Sequence, residues 1–322
     1  MNIKLDIPEE FFKGEERCGY YVSPEMKKVW AVELDLLNEF SRVCEKYNLR
    51  WFIDWGTLLG AVRHKGFIPW DDDVDITMMY SDFKKLCEIA PEEFHEPYFM
   101  DTLTNNPGTI STIGKVYNTD TTLLQVNIFY RLKSGRPVKD VNGIYIDIGY
   151  LSDVPDDEKE FEKIYEKLHK SMLKAYTIFK ATDGYYPFPN VLKRIIASAA
   201  HYSFGLLPIS HLYKKYHAEF VKGINSISYP DSRRVTFLGS IFQNKDKFMK
   251  KYVFDRKLFD NIVYLPFEML SVPAPAEYEK ILEIYYGNWR EPVITHHHAL
   301  FIDTEHSYKY YTEEGHPLPE IK

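Results

Sequence analysis

Cysteine is scarce in this chain: Cys18, Cys44 and Cys87 are all it has in 322 residues. Their spacing matches neither paired cysteines nor a metal-ligand set, so a disulfide framework is not expected and a reducing compartment is favoured. No run approaches 18 uninterrupted apolar residues, which argues against a transmembrane helix. The opening MNIKLDIPEEFFKGEER is acidic, is interrupted by Pro8 and lacks the apolar core of a signal peptide, so a cytoplasmic location is expected. An excess of positive charge is missing too. The 40 Lys and Arg against 47 Asp and Glu leave a net charge of −7, unlike a general nucleic-acid binder. Internal repeats and low-complexity tracts are also absent. What remains, 45% apolar and 27% charged residues, is the composition of an ordinary soluble globular protein, long enough for one elaborated domain or a domain with an appendage.

Residues 1 to 22 read as a lead-in arm without regular structure. Ser23-Pro24-Glu25 is a helix start, with a capping Ser and a Pro in the first turn. Val29, Trp30, Leu36, Leu37, Phe40, Val43, Cys44 and Tyr47 then repeat at helical spacing, predicting a helix from about 24 to 48. Trp51 to Asp54 reads as a strand, followed by a second helix that begins after Gly56-Thr57 and ends near Gly66. Asp73-Val74-Asp75-Ile76 alternates acid and apolar residues, the period of a strand with one acidic face, and Ser81 is placed as the cap of the next helix. Strands are expected at 98–101, 110–117, 121–125 and 143–151. In the last, GIYIDIGYL, Asp147 is a lone carboxylate flanked by isoleucines.

From Pro155 the pattern becomes helical. Phe161, Ile164, Tyr165, Leu168, Met172 and Tyr176 mark a long amphipathic helix, and another is expected over about 191 to 203. Between Glu166 and Lys222 eight Lys and one Arg face three acids, a net of +6 in a chain of −7. A solvated face is the usual meaning of such a bias, and contact with an anionic surface or acceptor is the alternative. The C-terminal third returns to mixed structure, with strands at 235–239 and 261–265 and a helix from Pro275 closed by Gly287. The fold class expected is α+β: a mixed sheet flanked by helices, divided as 1–22 arm, 23–154 catalytic core, 155–230 basic helical region and 231–322 completing the fold.

The chemistry concentrates in Trp51 to Met79, where Asp71, Asp72, Asp73 and Asp75 place four carboxylates within five positions. Like charges this close raise one another's pKa unless cations intervene. Two carboxylates at i and i+2 on a strand, with Asp147 from a neighbouring strand, make a platform for two hard divalent ions such as Mg²⁺ or Mn²⁺. Two such ions roughly 3.5–4 Å apart can clamp the attacking and leaving oxygens of a phosphoryl transfer. Gly56-Thr57 at a helix start can present backbone N–H groups to a phosphate. The competing readings are a solvated acidic turn, a calcium loop whose EF-hand spacing is missing, and an Asp147 paired with a lysine. His296-His297-His298 is a poor ligand set, because adjacent side chains point in different directions.

GTLLGAVRHKGFIPWDDDVDITM resembles, nearly position for position, the signature of the LicD family, which includes bacterial phosphocholine transferases and, more distantly, fukutin and fukutin-related protein. The likeness continues in Gly114-Lys115-Val116, Thr121-Thr122, Gly143 to Asp147, Pro275 to Tyr278 and Tyr286-Gly287. The resemblance implies a nucleotidyltransferase-like fold with Gly56-Thr57 in the glycine turn, Asp73 and Asp75 as the metal pair and Asp147 as the third carboxylate. Asp71 belongs to the family pattern and Asp72 does not. It further implies a CDP-linked donor, CDP-choline or a CDP-alditol, whose phosphorylated moiety passes to a hydroxyl of a glycan that can be lipid-linked. Arg63, Lys65 and Lys115 are candidates to neutralise phosphate charge. The basic segment 166–222 would lie on the acceptor side, with Lys193, Arg194, Lys214 and Lys215 facing a polymer or the inner face of a membrane. The chain departs from the family at Gly149, where a bulky residue is usual, and over 133–142, which reads as a local elaboration.

Overall fold

The computed structural model describes residues 2–106, 110–125, 128–129, 141–183, 210–294 and 301–318. The chain opens with a hairpin of β1 (Glu15–Arg17) and β2 (Tyr20–Val22), preceded by a short 3₁₀ turn at Glu9–Phe12. This corrects the expectation of an irregular arm. Cys18 and Gly19 both take positive φ, 53° and 75°, the pair of left-handed residues that lets a two-residue turn match the twist of its strands. The hairpin is held by ion pairs of Glu15 with Lys27 and of Arg17 with Glu268, contacts too distant in sequence to be read locally.

Helix α1 (Pro24–Lys46) begins as expected, with the Ser23 hydroxyl accepting from Met26 N at 3.2 Å. Strand β3 (Trp51–Ile53) leads into α2 (Trp55–His64); β4 (Asp75–Met79) leads into α3 (Tyr80–Glu93). Met79 rather than Ser81 is the boundary residue of α3, and no side chain caps it. Strands β5 (Tyr98–Asp101), β6 (Gly114–Asn118), β7 (Thr122–Leu124) and β8 (Ile144–Val154) follow, then α4 (Glu158–Asp183) and α5 (Ser210–Asn225). The remainder comprises β9 (Arg234–Phe237), α6 (Lys245–Lys251), β10 (Val253–Asp255), β11 (Ile262–Phe267), β12 (Leu270–Pro275), α7 (Tyr278–Tyr286), β13 (Phe301–Asp303) and α8 (Tyr308–Thr312). Pro275 closes β12, so α7 starts three residues later than the sequence suggested. Its closing Gly287 has φ 67°, as a helix-ending glycine should. The region 191–203, Lys193, Arg194, residues 133–140 and His296–His298 lie outside the described residues.

The central sheet has the order β10-β9-β8-β4-β3. The long β8 also pairs along its first half with β6, and β6 pairs with β5. Only the β4–β8 contact is parallel in this otherwise antiparallel sheet, so the sheet is mixed and the class is α+β, as expected. One face carries Ile76, Met78, Ile144, Ile146, Ile148 and Tyr150, all buried, against α1 and α3. The opposite face carries Asp75, Asp147 and Lys115. Strand alternation thus separates a dry face from a charged one. Helices α4 and α5 pack on each other, with Gly223 bare enough to admit Leu168.

Glu268, in the tight β11–β12 turn, ties three segments together: it pairs with Arg17 at 2.6 Å and accepts from Phe67 N at 3.1 Å. Gly66 has no side chain, and a Cβ there would meet the Glu268 carboxylate. Replacing Glu268 by Ala leaves a poorly exposed guanidinium and a backbone N–H without their acceptor. Urea unfolding of Glu268→Ala is expected to show a loss of about 2–4 kcal/mol.

Candidate active site

The carboxylates are set by the sheet register. Asp75 of β4 stands directly beside Asp147 of β8, and Asp147 N donates to Val74 O at 2.8 Å. Strand β4 begins at Asp75, so Asp73 lies in the extended segment before it rather than in the ladder. The alternation nevertheless holds through that segment: Asp71, Asp73 and Asp75 are half-buried on the open side, while Asp72 and Val74 are buried. Burial, reinforced by Asp71 and Asp147, pushes the Asp73 carboxyl well above its ordinary range. Burial with Asp73 and Asp147 does the same to Asp75. The repulsion expected from the sequence is therefore present.

The site row extends further. Lys115 of β6 is directly cross-strand from Asp147 and forms an ion pair with it, its ammonium 3.5 Å over the Tyr145 ring. Burial alone would depress this lysine, but Asp147 and the neighbouring Tyr145 and Tyr117 hold its pKa above the usual range. Both sequence readings of Asp147 are thus realised together, as a neighbour of Asp75 and as the partner of a lysine.

Gly56 and Thr57 lie in the first turn of α2. Asp54 caps that turn, accepting from Trp55 N at 2.9 Å, so Gly56 and Thr57 carry the remaining first-turn N–H groups. The Thr57 hydroxyl accepts from Asp75 N at 2.8 Å, joining the turn to the carboxylate strand. A Cβ on Gly56 would stand 2.7 Å from Asp71 Oδ2, so glycine is what allows this carboxylate to lie at the positive end of α2. Arg63 and Lys65 belong to the other end of that helix: seven to nine residues at 1.5 Å each put them roughly 10–14 Å along its axis from Gly56. Burial lowers the Arg63 pKa, offset in part by the neighbouring Cys18 and not by any aspartate. The structure therefore gathers Asp71, Asp73, Asp75, Asp147, Lys115, Gly56 and Thr57, and leaves Arg63 and Lys65 outside the group.

Several residues of the site escaped the sequence reading. Asp54 is buried, accepts from Thr77 Oγ1 at 2.7 Å and from Tyr285 Oη at 3.2 Å, and is pushed up to about 6 by burial. Trp55 adopts φ 45°, a left-handed conformation unfavourable for a bulky residue, and stacks on Tyr285 with ring centroids 3.9 Å apart. Tyr286, half-exposed at the rim, has its pKa raised by burial and by Asp75, Asp54, Asp71 and Asp73, which places its hydroxyl in their field. Gly149, two residues beyond Asp147 on the same face, has the Phe237 ring where its Cβ would be. The bulk absent at Gly149 is thus supplied by β9.

The most anomalous of these residues is Glu33 on α1, which is 0% exposed with neither carboxylate oxygen hydrogen-bonded. One turn earlier on the same face Trp30 Nε1 donates to Asp71 O at 2.9 Å, so Glu33 lies behind the acidic segment. Burial, then Asp72, Asp73, Asp71 and Asp75, drive its pKa far upward. Its signal was legible: Glu33 interrupts the apolar stripe between Trp30 and Leu37.

As a donor set, Asp73, Asp75 and Asp147 offer hard oxygens suited to Mg²⁺ or Mn²⁺, and behind them the field of the aspartates keeps the orphaned Glu33 protonated. Among the described residues no three such side chains converge tightly enough to enclose an ion, and Lys115 is paired with Asp147. The set fits divalent cations by chemistry, with the lysine standing as the resident counter-charge.

Comparison with known proteins gives three findings. Residues 48–148 match the LicD/FKTN/FKRP nucleotidyltransferase domain. The chain is similar to the lipopolysaccharide cholinephosphotransferase LicD of Haemophilus influenzae, 25% identical over 265 residues, covering 82% of this chain and 91% of the relative. A shorter likeness, 46% identical over 57 residues, covers 18% of this chain and 21% of an uncharacterized protein of Rickettsia prowazekii.

Glu33 also fixes a pH dependence. Its folded pKa is raised, so the folded state retains a proton that the unfolded chain gives up, and stability falls as pH rises above the ordinary carboxylate range. In EDTA, Glu33→Gln should melt at a higher temperature than the parent at pH 8 and at nearly the same temperature at pH 4. Equal differences at both pH values would refute this assignment.

Proposed function

For this chain, a member of the LicD family, we propose that the activity is transfer of a phospho-substituent, phosphocholine foremost, from a CDP-linked donor to a hydroxyl of a glycan or glycan precursor, with release of CMP. Family membership makes the chain a transferase of phosphate-containing groups. The donor, the divalent cations and the leaving CMP are the proposed refinements. The observation that carries the reading is the register of Asp75 beside Asp147, with Asp73 in the preceding segment and the α2 amino terminus over them. The name of the Haemophilus relative, which aligns over 91% of its own length, supports phosphocholine as the group moved and lipopolysaccharide as the type of acceptor.

Asp73, Asp75 and Asp147 would hold Mg²⁺ or Mn²⁺, with Asp71 in support. Bound ions would neutralise the phosphate oxygens and stabilise the attacking and leaving ones. The amides of Gly56 and Thr57 present a partial positive charge to a donor phosphate, in competition with Asp71, which lies there now. Lys115 contributes a point charge at the far side of Asp147. The acceptor oxygen attacks the distal phosphorus, the bond from that phosphorus to the oxygen of CMP breaks, and the acceptor proton passes to a carboxylate of the cluster.

No helix among the described residues is long and apolar enough to cross a membrane. Lys214 and Lys215 are exposed on α5, and we place this basic region on the acceptor side, facing an anionic polymer or a lipid-linked acceptor at the membrane surface.

The test is a thermal-shift screen of CDP-choline, CDP-ribitol, CDP-glycerol and CTP with and without Mg²⁺, because a ligand that binds only the native state raises the melting temperature. A Mg²⁺-dependent rise with CDP-choline, followed by CMP release in the presence of a glycan acceptor, is expected. Asp75→Ala should fold and lose turnover by at least about 10³-fold, the scale of losing a main electrostatic group. Pyrophosphate release from CTP would identify a nucleotidyltransferase instead, and no nucleotide binding at all would identify a glycan-binding module. Retained turnover in Asp75→Ala would remove the assignment of the cluster.

A further inference from the structure

The charged face of the sheet holds a fourth member that the proposed chemistry does not use. Asp101 of β5 is directly cross-strand from Lys115, which is cross-strand from Asp147, which lies beside Asp75. Four strands thus carry one lateral row in the order Asp101, Lys115, Asp147, Asp75. Residues paired directly across strands share a face, with Cβ atoms about 4.5–5.5 Å apart in antiparallel pairs. The flexible four-carbon stem of Lys115 can therefore reach a carboxylate on either side.

Its two neighbours are not equally occupied. Asp147 holds the ammonium. Asp101 is 1% exposed, and its Oδ2 accepts from Asn106 Nδ2 at 3.1 Å, while its Oδ1 is buried with no hydrogen-bond partner. A buried acceptor left without a donor is costly, and such atoms call for an explanation. Burial pushes this carboxyl up to about 6, against hydrogen bonding from Asn106 and the pull of the Lys115 charge, which already acts on it.

The row has a consequence for cation loading. Lys115 sits on Asp147 Oδ1, and a divalent ion on the same carboxylate would repel the ammonium, so loading of Asp147 favours movement of Lys115 away from it. The adjacent seat with a vacant acceptor is Asp101. We propose that Lys115 is a displaceable internal cation with two seats, Asp147 in the ion-free protein and Asp101 once a divalent ion occupies Asp147. Asp101 is then a positioning residue: it touches neither ion nor substrate and acts by receiving the lysine. The inference rests on the proposed divalent-cation site.

A double-mutant cycle in Mn²⁺ affinity tests it, using the full chain and calorimetry with Mn²⁺ alone. Asp101→Asn keeps the size of the side chain and removes the seat. It should weaken Mn²⁺ binding by about fivefold or more, within the range of coupling between neighbouring groups. Lys115→Met removes the competitor and should leave binding as tight or tighter; Lys115→Gln replaces it if the first variant melts early. In either lysine-free background Asp101→Asn should change the affinity by less than about twofold, because nothing remains to be received. An equal loss with and without Lys115 would show that Asp101 acts on the ion or the fold directly, and no loss in either background would show that it is a protonated bystander; both overturn the proposal. Asp75→Asn is the control. If the parent binds Mn²⁺ and Asp75→Asn does not, absence of coupling defeats the two-seat proposal alone, whereas a parent that binds no Mn²⁺ defeats the cation site and this inference with it.

Discussion

The parallel contact between β4 and β8 is the constraint on which the rest of the molecule depends. It sets Asp75 and Asp147 side by side, and the alternation of extended backbone brings Asp71 and Asp73 to the same side. Charges of one sign do not gather in a half-buried place without compensation. The surrounding structure supplies it in three forms: the amino terminus of α2 against Asp71, the Lys115 ammonium on Asp147, and pKa values raised at Asp73 and Asp75. Each of these is displaceable, by a phosphate, by a metal ion or by loss of a proton. A site neutralised by partners of this kind suits the exchange for a phosphate and its cations that is proposed for it.

The opposite face of the sheet explains why the arrangement holds its shape. Ile76, Met78, Ile144, Ile146 and Ile148 are buried against α1 and α3, and a one-residue slip of β4 would exchange them for the aspartates. The register that places the carboxylates is therefore enforced by apolar burial behind them. Asp54 adds a second fastening, since one buried carboxyl joins β4 through Thr77, the start of α2 through Trp55, and α7 through Tyr285. The left-handed Trp55 is tolerable because its ring is stacked on Tyr285. Strain at that position is offset by packing from a helix more than two hundred residues away in sequence.

The legible part of this design was the part encoded locally. Alternation at Asp73 to Ile76 and in GIYIDIGYL gave both strands and the inward carboxylates, and the Ser-Pro start gave α1 to within two residues. Pairings between distant segments were not legible. Nothing in the sequence near Lys115 says that its neighbour across the ladder is Asp147, or that Asp101 waits on the other side. The amino-terminal hairpin was missed because its stability comes from Glu268 and Lys27 rather than from strand propensity. Arg63 and Lys65 illustrate the reverse error. They lie in the same signature stretch as Gly56, but a helix of ten residues separates its two ends. Nearness in sequence became distance in space.

Glu33 and Gly149 show how the two kinds of information combine. A carboxyl within an apolar helical stripe is a local anomaly, and only the fold shows that it lies behind the acidic segment, whose aspartates oppose its ionisation. Gly149 is a local absence, and only the fold shows that Phe237 fills it. The wall beside Asp147 is therefore aromatic and comes from β9, with Trp55 meeting Phe237 edge-on at 5.4 Å. An apolar wall next to a cluster of carboxylates favours a group that is cationic yet poorly hydrated, since aromatic faces and negative charge both attract such an ion. A quaternary ammonium has that character and an alditol does not, so among the donors proposed above the wall built around Gly149 suits the choline one better.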